Sequence, residues 1–228
     1  GSGKTAVYLT LADRVLAEGR RCIVLVPEIA LTPQTIRRFL AAFGRRVAVI
    51  HSALSLSERL DEYKRIRRGA VDVVVGTRSA VFAPVENLGL IIVDEEQEHT
   101  YRSEQAPRYD ACEVARLRAR RQGGLCVLAS ATPSIESAYR AQKGEYLLAT
   151  LPQRYGSALL PEVTILDLRE RPMAAEALSE ELCEELYQNL QRQEQSILFV
   201  NRRGYSATAV CMSCHQPLEC PRCSISLK

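Results

Sequence analysis

The chain has 228 residues, of which 46% are hydrophobic and 25% are charged, and its formal net charge is +3. This composition is ordinary for a globular protein with a sizeable core, and it excludes a disordered tail, a collagen-like fibre and a small disulfide scaffold. No apolar run approaches the roughly 20 residues that cross a bilayer, so no membrane partner is expected. No secretory signal opens the chain, and we expect a cytoplasmic location. Because the chain begins with glycine, inside a motif, we expect a fragment of a longer protein.

Short apolar runs alternate with helical patterns through the first 150 residues. The runs are rich in valine and isoleucine and show little polar alternation, which is typical of strands buried on both faces of a parallel sheet. Helix-capping signals lie between the runs, such as Thr32 before Pro33 and Thr132 before Pro133. The predicted strands are Ile23–Pro27, Val47–His51, Val71–Thr77, Leu90–Glu95 and Cys126–Ala131. The alternation predicts an α/β domain with a parallel sheet and helices on both faces.

The pattern loosens after residue 150, which predicts a linker over residues 151–178 with one strand at Val163–Leu168. Ser179 then predicts the start of a helix that runs to about Gln193. Ser196–Val200 has the composition of a strand. We therefore expect a first domain at 1–150, the linker at 151–178, the start of a second α/β domain at 179–204 and a cysteine-rich segment at 205–228.

Two motifs in the first domain predict an ATP site. Gly1-Ser2-Gly3-Lys4-Thr5 matches the end of the phosphate-loop pattern G-x-x-x-x-G-K-[ST] and precedes a predicted helix. In such loops backbone N–H groups surround the phosphates, the lysine reaches the β- and γ-phosphates and the hydroxyl holds Mg²⁺. Taken alone, the motif could be a flexible glycine-serine start. Asp94 and Glu95, however, end a buried strand of the same sheet, where Asp94 can hold the magnesium and Glu95 can polarise the attacking water.

Further polar residues follow other strands of the predicted sheet. Ser130 and Thr132 could sense the γ-phosphate through Glu95, or they could simply cap the next helix. Thr77 and Arg78 offer a hydroxyl and a guanidinium suited to a phosphate backbone, although an ordinary turn is an equal alternative. Because the carboxyl ends of parallel strands meet at one edge of the sheet, we expect these residues to lie on the same side of the domain.

Four cysteines near the end of the chain form two C-x-x-C pairs: Cys211 with Cys214, and Cys220 with Cys223. In a reducing compartment such pairs are more often metal sites than disulfides, since two thiolates can reach one Zn²⁺ from a tight turn. The separation of the pairs is short for one relaxed site, which leaves a strained four-cysteine site or a disordered segment. The other cysteines are interpreted as free thiols in apolar surroundings: Cys22, Cys112, Cys126 and Cys183.

These segments together resemble the superfamily-2 helicases, and among them the primosomal replication-restart DNA helicases. The resemblance is carried by Gly1–Thr5, Leu25–Gln34, Gly76–Ala80, Leu88–Glu96, Pro107–Tyr109, Ser130–Ser134 and Leu198–Tyr205. It implies two RecA-like domains and an ATP-driven 3′-to-5′ helicase that acts on forked and single-stranded DNA. It also implies primosome proteins and single-strand-binding protein as partners.

The resemblance also implies roles for particular residues. Residues Gly1–Thr5 would bind ATP and Mg²⁺, Ser130 and Thr132 would couple hydrolysis to movement, and Thr77 and Arg78 would contact DNA. Each C-x-x-C pair would supply half of a different zinc site. The catalytic group would be Lys4, Asp94, Glu95 and Gln97. Glutamine stands there in place of the family's usual histidine, and its amide can also donate and accept hydrogen bonds.

Two other functions compete with a fork-directed helicase. An RNA-remodelling ATPase would share the phosphate loop, but it would not predict Asn201–Tyr205 followed directly by cysteine pairs. A zinc-bearing scaffold without turnover would have no need to keep Lys4, Asp94 and Glu95. Since the arginine-finger motif of the second domain would lie beyond Lys228, we expect the fragment alone not to unwind DNA.

Overall fold

The structure is a computed structural model that describes residues 3–152, 161–167, 173–175 and 178–199. The chain forms two compact units, Gly1–Leu159 and Leu160–Lys228. The described helices are α1 (Lys4–Ala17), α2 (Pro33–Phe43), α3 (Leu56–Arg67), α4 (Ala111–Arg121), α5 (Ile135–Gln142) and α6 (Glu180–Gln191). The described strands are β1 (Arg21–Leu25), β2 (Val47–Ile50), β3 (Val73–Gly76), β4 (Leu88–Asp94), β5 (Leu125–Ala129), β6 (Met173–Ala175) and β7 (Leu178–Ser179). Short 3₁₀ turns cover Glu28–Ala30, Gly44–Arg46, Arg78–Phe82 and His99–Tyr101.

The first unit is built on a five-stranded parallel sheet with the strand order β2-β3-β1-β4-β5. Strand β1 lies in the middle: the chain goes from it to the edge strand β2, returns to β3 beside β1, and then crosses to β4 and β5 on the other side. Such a reversal of strand order opens a crevice outside the carboxyl ends of the central strands, where α/β proteins bind ligands. The predicted α/β architecture is confirmed, and all five predicted strands of this sheet are present.

Both faces of the sheet are covered by helices. One face packs against α1 and α2, where Tyr8 and Phe39 are buried together with Val24 and Ile92. The other face packs against α3 and α4, through residues such as Ile66 and Ala115. This burial explains why the central strands are continuous apolar runs without polar alternation. The edge strand β5 is more exposed, with Leu125 at 55%.

The structure corrects the predicted start of the fifth helix. Thr132 before Pro133 predicted the N-cap, but α5 begins at Ile135 and its N-cap is Ser134. The Ser134 hydroxyl accepts the backbone N–H of Ser137 at 3.2 Å. Both Thr132 and Ser134 are good capping residue types, so local sequence does not distinguish them.

Two predicted strands in the second unit are also wrong over the residues that the structure describes. Residues 161–167 and 196–199 carry no regular secondary structure, whereas Leu168 and Val200 lie outside the described residues. The apolar side chains there are exposed, with Ile165 at 91% and Ile197 at 94%. A strand needs a hydrogen-bonded neighbour, and β-propensity alone does not supply one. The predicted helix after Ser179 is confirmed as α6, and β6 pairs antiparallel with β7.

Gly76 provides a test of the packing at the end of β3. A methyl group on Gly76 would overlap the carbonyl oxygen of Ile50 and lie 2.6 Å from Cβ of Ala80. We therefore expect Gly76→Ala to lower the free energy of unfolding by about 2–3 kcal/mol in urea denaturation. Gly144→Ala is the control, because its added methyl meets nothing within 4 Å and only its positive φ of 77° opposes alanine, at a cost of about 1–2 kcal/mol. Equal losses in the two variants would contradict the close packing.

Candidate nucleotide-binding site

Helix α1 begins directly at the phosphate-loop motif. Gly3 is its N-cap, with a φ of 84° in the left-handed region that favours glycine. The Gly3 carbonyl accepts the N–H groups of Ala6 at 3.0 Å and Val7 at 3.3 Å, so the first helical turn is anchored on this glycine. The first turn holds Lys4 and Thr5 and no acidic residue. It is therefore suited to an anion, since the N–H groups and the dipole of a helix N-terminus attract negative charge. Gly1 and Ser2 lie outside the described residues.

Lys4 contacts both acidic residues at the end of β4. Its ammonium forms an ion pair with Oε1 of Glu95 and lies 3.4 Å from Oδ1 of Asp94. Burial opposes the charge on Lys4, but the hydrogen bond to Glu95 and the charge of Asp94 outweigh it and raise the pKa of Lys4. Burial also opposes ionisation of Glu95, yet the hydrogen bonds from Lys4 and Gln97 lower the pKa of this carboxyl. Lys4 and Glu95 are therefore both charged at neutral pH.

Two buried tyrosines hold Asp94 in place. The hydroxyl of Tyr8 donates to Oδ1 of Asp94 at 2.6 Å, and the hydroxyl of Tyr101 donates to its backbone oxygen at 2.6 Å. Burial raises the pKa of both phenols, so they remain hydrogen-bond donors at neutral pH. Sequence reasoning missed both residues. Tyr8 follows Lys4 by four positions and so shares its helix face, which is a usable signal, whereas nothing in the sequence marks Tyr101.

A chain of side-chain hydrogen bonds leads from Glu95 to the end of β5. Nε2 of Gln97 donates to Oε2 of Glu95 at 3.0 Å. Ser130 donates its hydroxyl to Oε1 of Gln97 at 2.6 Å and accepts the backbone N–H of Thr132 at 2.8 Å. Gln97 therefore uses both ends of its amide, as a donor and an acceptor. Ser130 reaches Glu95 through this glutamine and not directly.

Thr77 and Arg78 follow β3 at the same edge of the sheet. Thr77 is buried, with 4% exposure. Arg78 donates to the backbone oxygens of Thr100 at 3.1 Å and Arg102 at 2.7 Å. It thereby holds the loop after β4 beside a cleft of about 410 Å³, which Arg78 itself lines together with Glu28.

Glu96 is a further polar residue that the sequence did not single out. It is only 8% exposed, although it lies between Glu95 and Gln97 in a polar turn. Its carboxylate accepts hydrogen bonds from Ser134 and Ser137. The sequence gives no sign that this third acid faces inward, because acidic residues after a strand are usually solvated.

The predicted zinc site cannot be placed in the described part of the chain. Among the residues it describes, no cluster of three or more His, Cys, Asp or Glu side chains could hold a metal ion. The predicted zinc ligands, Cys211, Cys214, Cys220 and Cys223, lie outside the described residues. Burial raises the pKa of Cys22 and of Cys126 to about 12, so both thiols stay protonated at neutral pH. Cys22, Cys112, Cys126 and Cys183 are all free, as predicted.

No described helix is both long and apolar enough to span a membrane.

Comparison with known proteins identifies the family of this chain. The DEAD/DEAH box helicase family matches residues 1–141, and the chain belongs to this family. Along its whole length the chain is 50% identical to the replication restart protein PriA of Bacillus subtilis (strain 168) and 44% identical to PriA of Synechocystis sp. (strain ATCC 27184 / PCC 6803 / Kazusa). The chain spans 28% of the length of each of these two relatives. The predicted resemblance to the replication-restart helicases is thereby confirmed.

A solved structure supports the fold independently. The DUF1998 helicase MrfA matches 88% of this chain and 32% of its own, with a TM-score of 0.51. Its sequence is 21% identical, so this likeness bears on the fold alone. The predicted RecA-like architecture agrees with it.

The ion pair between Lys4 and Glu95 predicts a specific pH dependence of stability. The pKa of Glu95 is lower in the folded chain than its ordinary value of 4.5, so its stabilisation is complete above that value and is lost as the pH falls through the folded pKa. Glu95→Gln should cost roughly 1 kcal/mol of unfolding free energy between about pH 6 and pH 9, and the cost should shrink below about pH 4.5. Urea denaturation across this range measures it. The exposed Glu104→Gln is the control, and a cost that does not vary with pH would contradict the ion pair.

Proposed function

We propose that this chain is the ATP-binding part of a replication-restart DNA helicase that moves 3′-to-5′ on single-stranded DNA and acts at forks. The observation that carries the proposal is the unbroken series of contacts from Lys4 through Glu95 and Gln97 to Ser130. A protein that only binds nucleotide has no need of such a connection between a phosphate-binding lysine and a distant loop. The identity to PriA over the whole chain supports a DNA helicase over an RNA-remodelling ATPase.

The residues at the α1 N-terminus and the end of β4 fit ATP and Mg²⁺. We assign Gly1–Thr5 to the phosphates, with Lys4 as the cation nearest to them. Thr5 and Asp94 supply a hydroxyl and a carboxylate, which are oxygen ligands that Mg²⁺ prefers. When bound, Mg²⁺ neutralises charge on the phosphate oxygens.

Glu95 is the residue we assign to the attacking water. It is ionised at neutral pH because Lys4 and Gln97 lower its pKa, so it can accept a hydrogen bond from water. The Lys4 ammonium has three N–H donors and already contacts Glu95 and Asp94, so phosphate oxygens would share these donors with the two carboxylates. Gln97 keeps its hydrogen bond to the other carboxylate oxygen and so orients Glu95 during that sharing.

Coupling and DNA contact are assigned to residues at the neighbouring strand ends. Ser130 and Thr132 would respond to Glu95 through Gln97, since the three hydrogen bonds form a continuous series. Thr77 and Arg78 would contact the DNA backbone beside the cleft, where Arg78 already orders the adjacent loop.

The remaining assignments follow from the sequence and from the relatives. Residues 1–150 would be the first RecA-like domain, 151–178 the linker, 179–204 the start of the second and 205–228 part of a zinc-binding segment. Spacing supports zinc at the two cysteine pairs, and elemental analysis of the full-length protein tests it directly. Primosome proteins and single-strand-binding protein as partners, and a cytoplasmic location, would follow from a role in replication restart.

Hydrolysis of ATP by the full-length protein tests the proposed function. Forked DNA should stimulate hydrolysis at least about ten-fold, and Lys4→Ala should abolish the stimulated rate because it removes the phosphate-binding cation. An exposed lysine substitution, Lys143→Ala, is the control for loss of one positive charge. Equal stimulation by forked RNA would favour an RNA remodeller. Tight binding of forked DNA with hydrolysis at background would contradict a motor and favour a binding scaffold.

A further inference from the structure

The turn after β4 directs three successive side chains to different partners. It is closed by the N–H of Glu98, which donates to the backbone oxygen of Glu95 at 2.9 Å. The positive φ of Glu95, 48°, produces the sharp change of direction. The N–H of Glu96 donates to the backbone oxygen of Ala129 at 3.1 Å, which fastens the turn to β5. Because Glu95, Glu96 and Gln97 are consecutive in a turn closed by a hydrogen bond, a displacement at Glu95 would also act on Glu96 and Gln97.

Glu96 connects this turn to helix α5. One oxygen of its carboxylate accepts the backbone N–H of Ser134 at 2.6 Å. The other accepts the hydroxyls of Ser134 at 3.0 Å and Ser137 at 3.1 Å. Ser134 is the N-cap of α5, and Ser137 lies in its first turn. A buried carboxylate with three hydrogen bonds is costly to displace, so the helix start is firmly attached to Glu96.

The segment between β5 and α5 is therefore fastened to the same turn at both ends. Ser130 is held by Gln97 at its start, and Ser134 and Ser137 are held by Glu96 at its end. We propose that Glu96 is a positioning residue that transmits a change at the nucleotide site to helix α5. The proposal rests on the proposed function only in requiring that the site binds ATP.

If Glu96 only stabilised the start of α5, removing another acid from the same helix end should have the same effect. A carboxylate near a helix N-terminus stabilises the helix through its dipole, whatever else it contacts. Glu136 offers that interaction too, since it lies in the first turn of α5, but its side chain is exposed. Glu136→Ala is therefore the matched control, because it removes the same charge from the same helix end.

Amide hydrogen exchange of α5 in the full-length protein tests the proposal without DNA. Saturating Mg²⁺ and a non-hydrolysable ATP analogue should slow exchange of the α5 amides by about five-fold or more in the wild-type protein. Glu96→Ala should bind the analogue with a Kd within about two-fold of wild type and lose this response. Glu136→Ala should keep it. Glu96→Gln should restore part of the response, because the amide can still bond both serines if their hydroxyls rotate.

Steady-state kinetics add a second readout. In Glu96→Ala the DNA-stimulated kcat should fall about ten-fold while the KM for ATP stays unchanged, since positioning fails without loss of binding. If Glu96→Ala does not fold, Ser137→Ala tests the proposal instead. It removes one of the three hydrogen bonds to the Glu96 carboxylate and should halve the slowing of α5 amide exchange.

Two results would overturn the proposal. One is a wild-type protein that binds the analogue without any change in α5, and the other is a Glu96→Ala variant that keeps the full change. An α5 response without stimulation by DNA would support the role of Glu96 and reject the helicase function, so the two failures are distinguishable.

Discussion

The contact of Lys4 with Asp94, the last residue of β4, and with Glu95 directly after it is the interaction on which the rest of the site depends. It joins residues 91 positions apart and brings the first helical turn of α1 to the end of the sheet. The charges are partly shielded from water, with Lys4 21% and Asp94 20% exposed, so their attraction is stronger than at an open surface. The neighbouring residues serve this contact: Tyr8 and Tyr101 hold Asp94, and Gln97 holds Glu95. Removing one partner would leave the other charge poorly compensated.

The same contact explains how a nucleotide could alter the protein. The Lys4 ammonium has three N–H donors, and phosphate oxygens would compete with Glu95 for them. A ligand shifts a protein only by interacting differently with its alternative states, and in the proposed site a lysine shared with the phosphates would supply that difference. Glu95 belongs to a closed turn whose other side chains reach the loop before α5 and the start of that helix. A change at Glu95 on nucleotide binding would therefore reach the start of α5 through one turn of the backbone and a few hydrogen bonds.

The sequence allowed the sheet and most of the site to be predicted, because the relevant signals are local. Apolar runs identified the strands, the phosphate-loop motif singled out Lys4, and the rule that parallel strands end at one edge predicted that Thr77, Glu95 and Ser130 lie on the same side. The inward direction of Glu96 and the hydroxyl of Tyr101 could not be foreseen, because both depend on which elements pack against β4. The predicted start of α5 is wrong for the same reason. Ser134, and not Thr132, is the N-cap, and its N–H and hydroxyl donate to Glu96, which the sequence does not place there. Apolar segments at 163–168 and 196–200 suggested strands, but pairing depends on a neighbour that propensity does not reveal.

The most direct test is the affinity of the full-length protein for a fluorescent ATP analogue with Mg²⁺, compared among wild type, Lys4→Ala and Glu95→Gln. If Lys4 is shared between Glu95 and the phosphates, Lys4→Ala should weaken binding at least about ten-fold, because a charged hydrogen bond to the phosphates is lost. Glu95→Gln should bind as tightly as wild type or more tightly, because it removes a competitor for the lysine and a negative charge near the phosphates. Weakening of both variants to the same extent would contradict a shared lysine and would show that Lys4 and Glu95 serve binding as an intact pair.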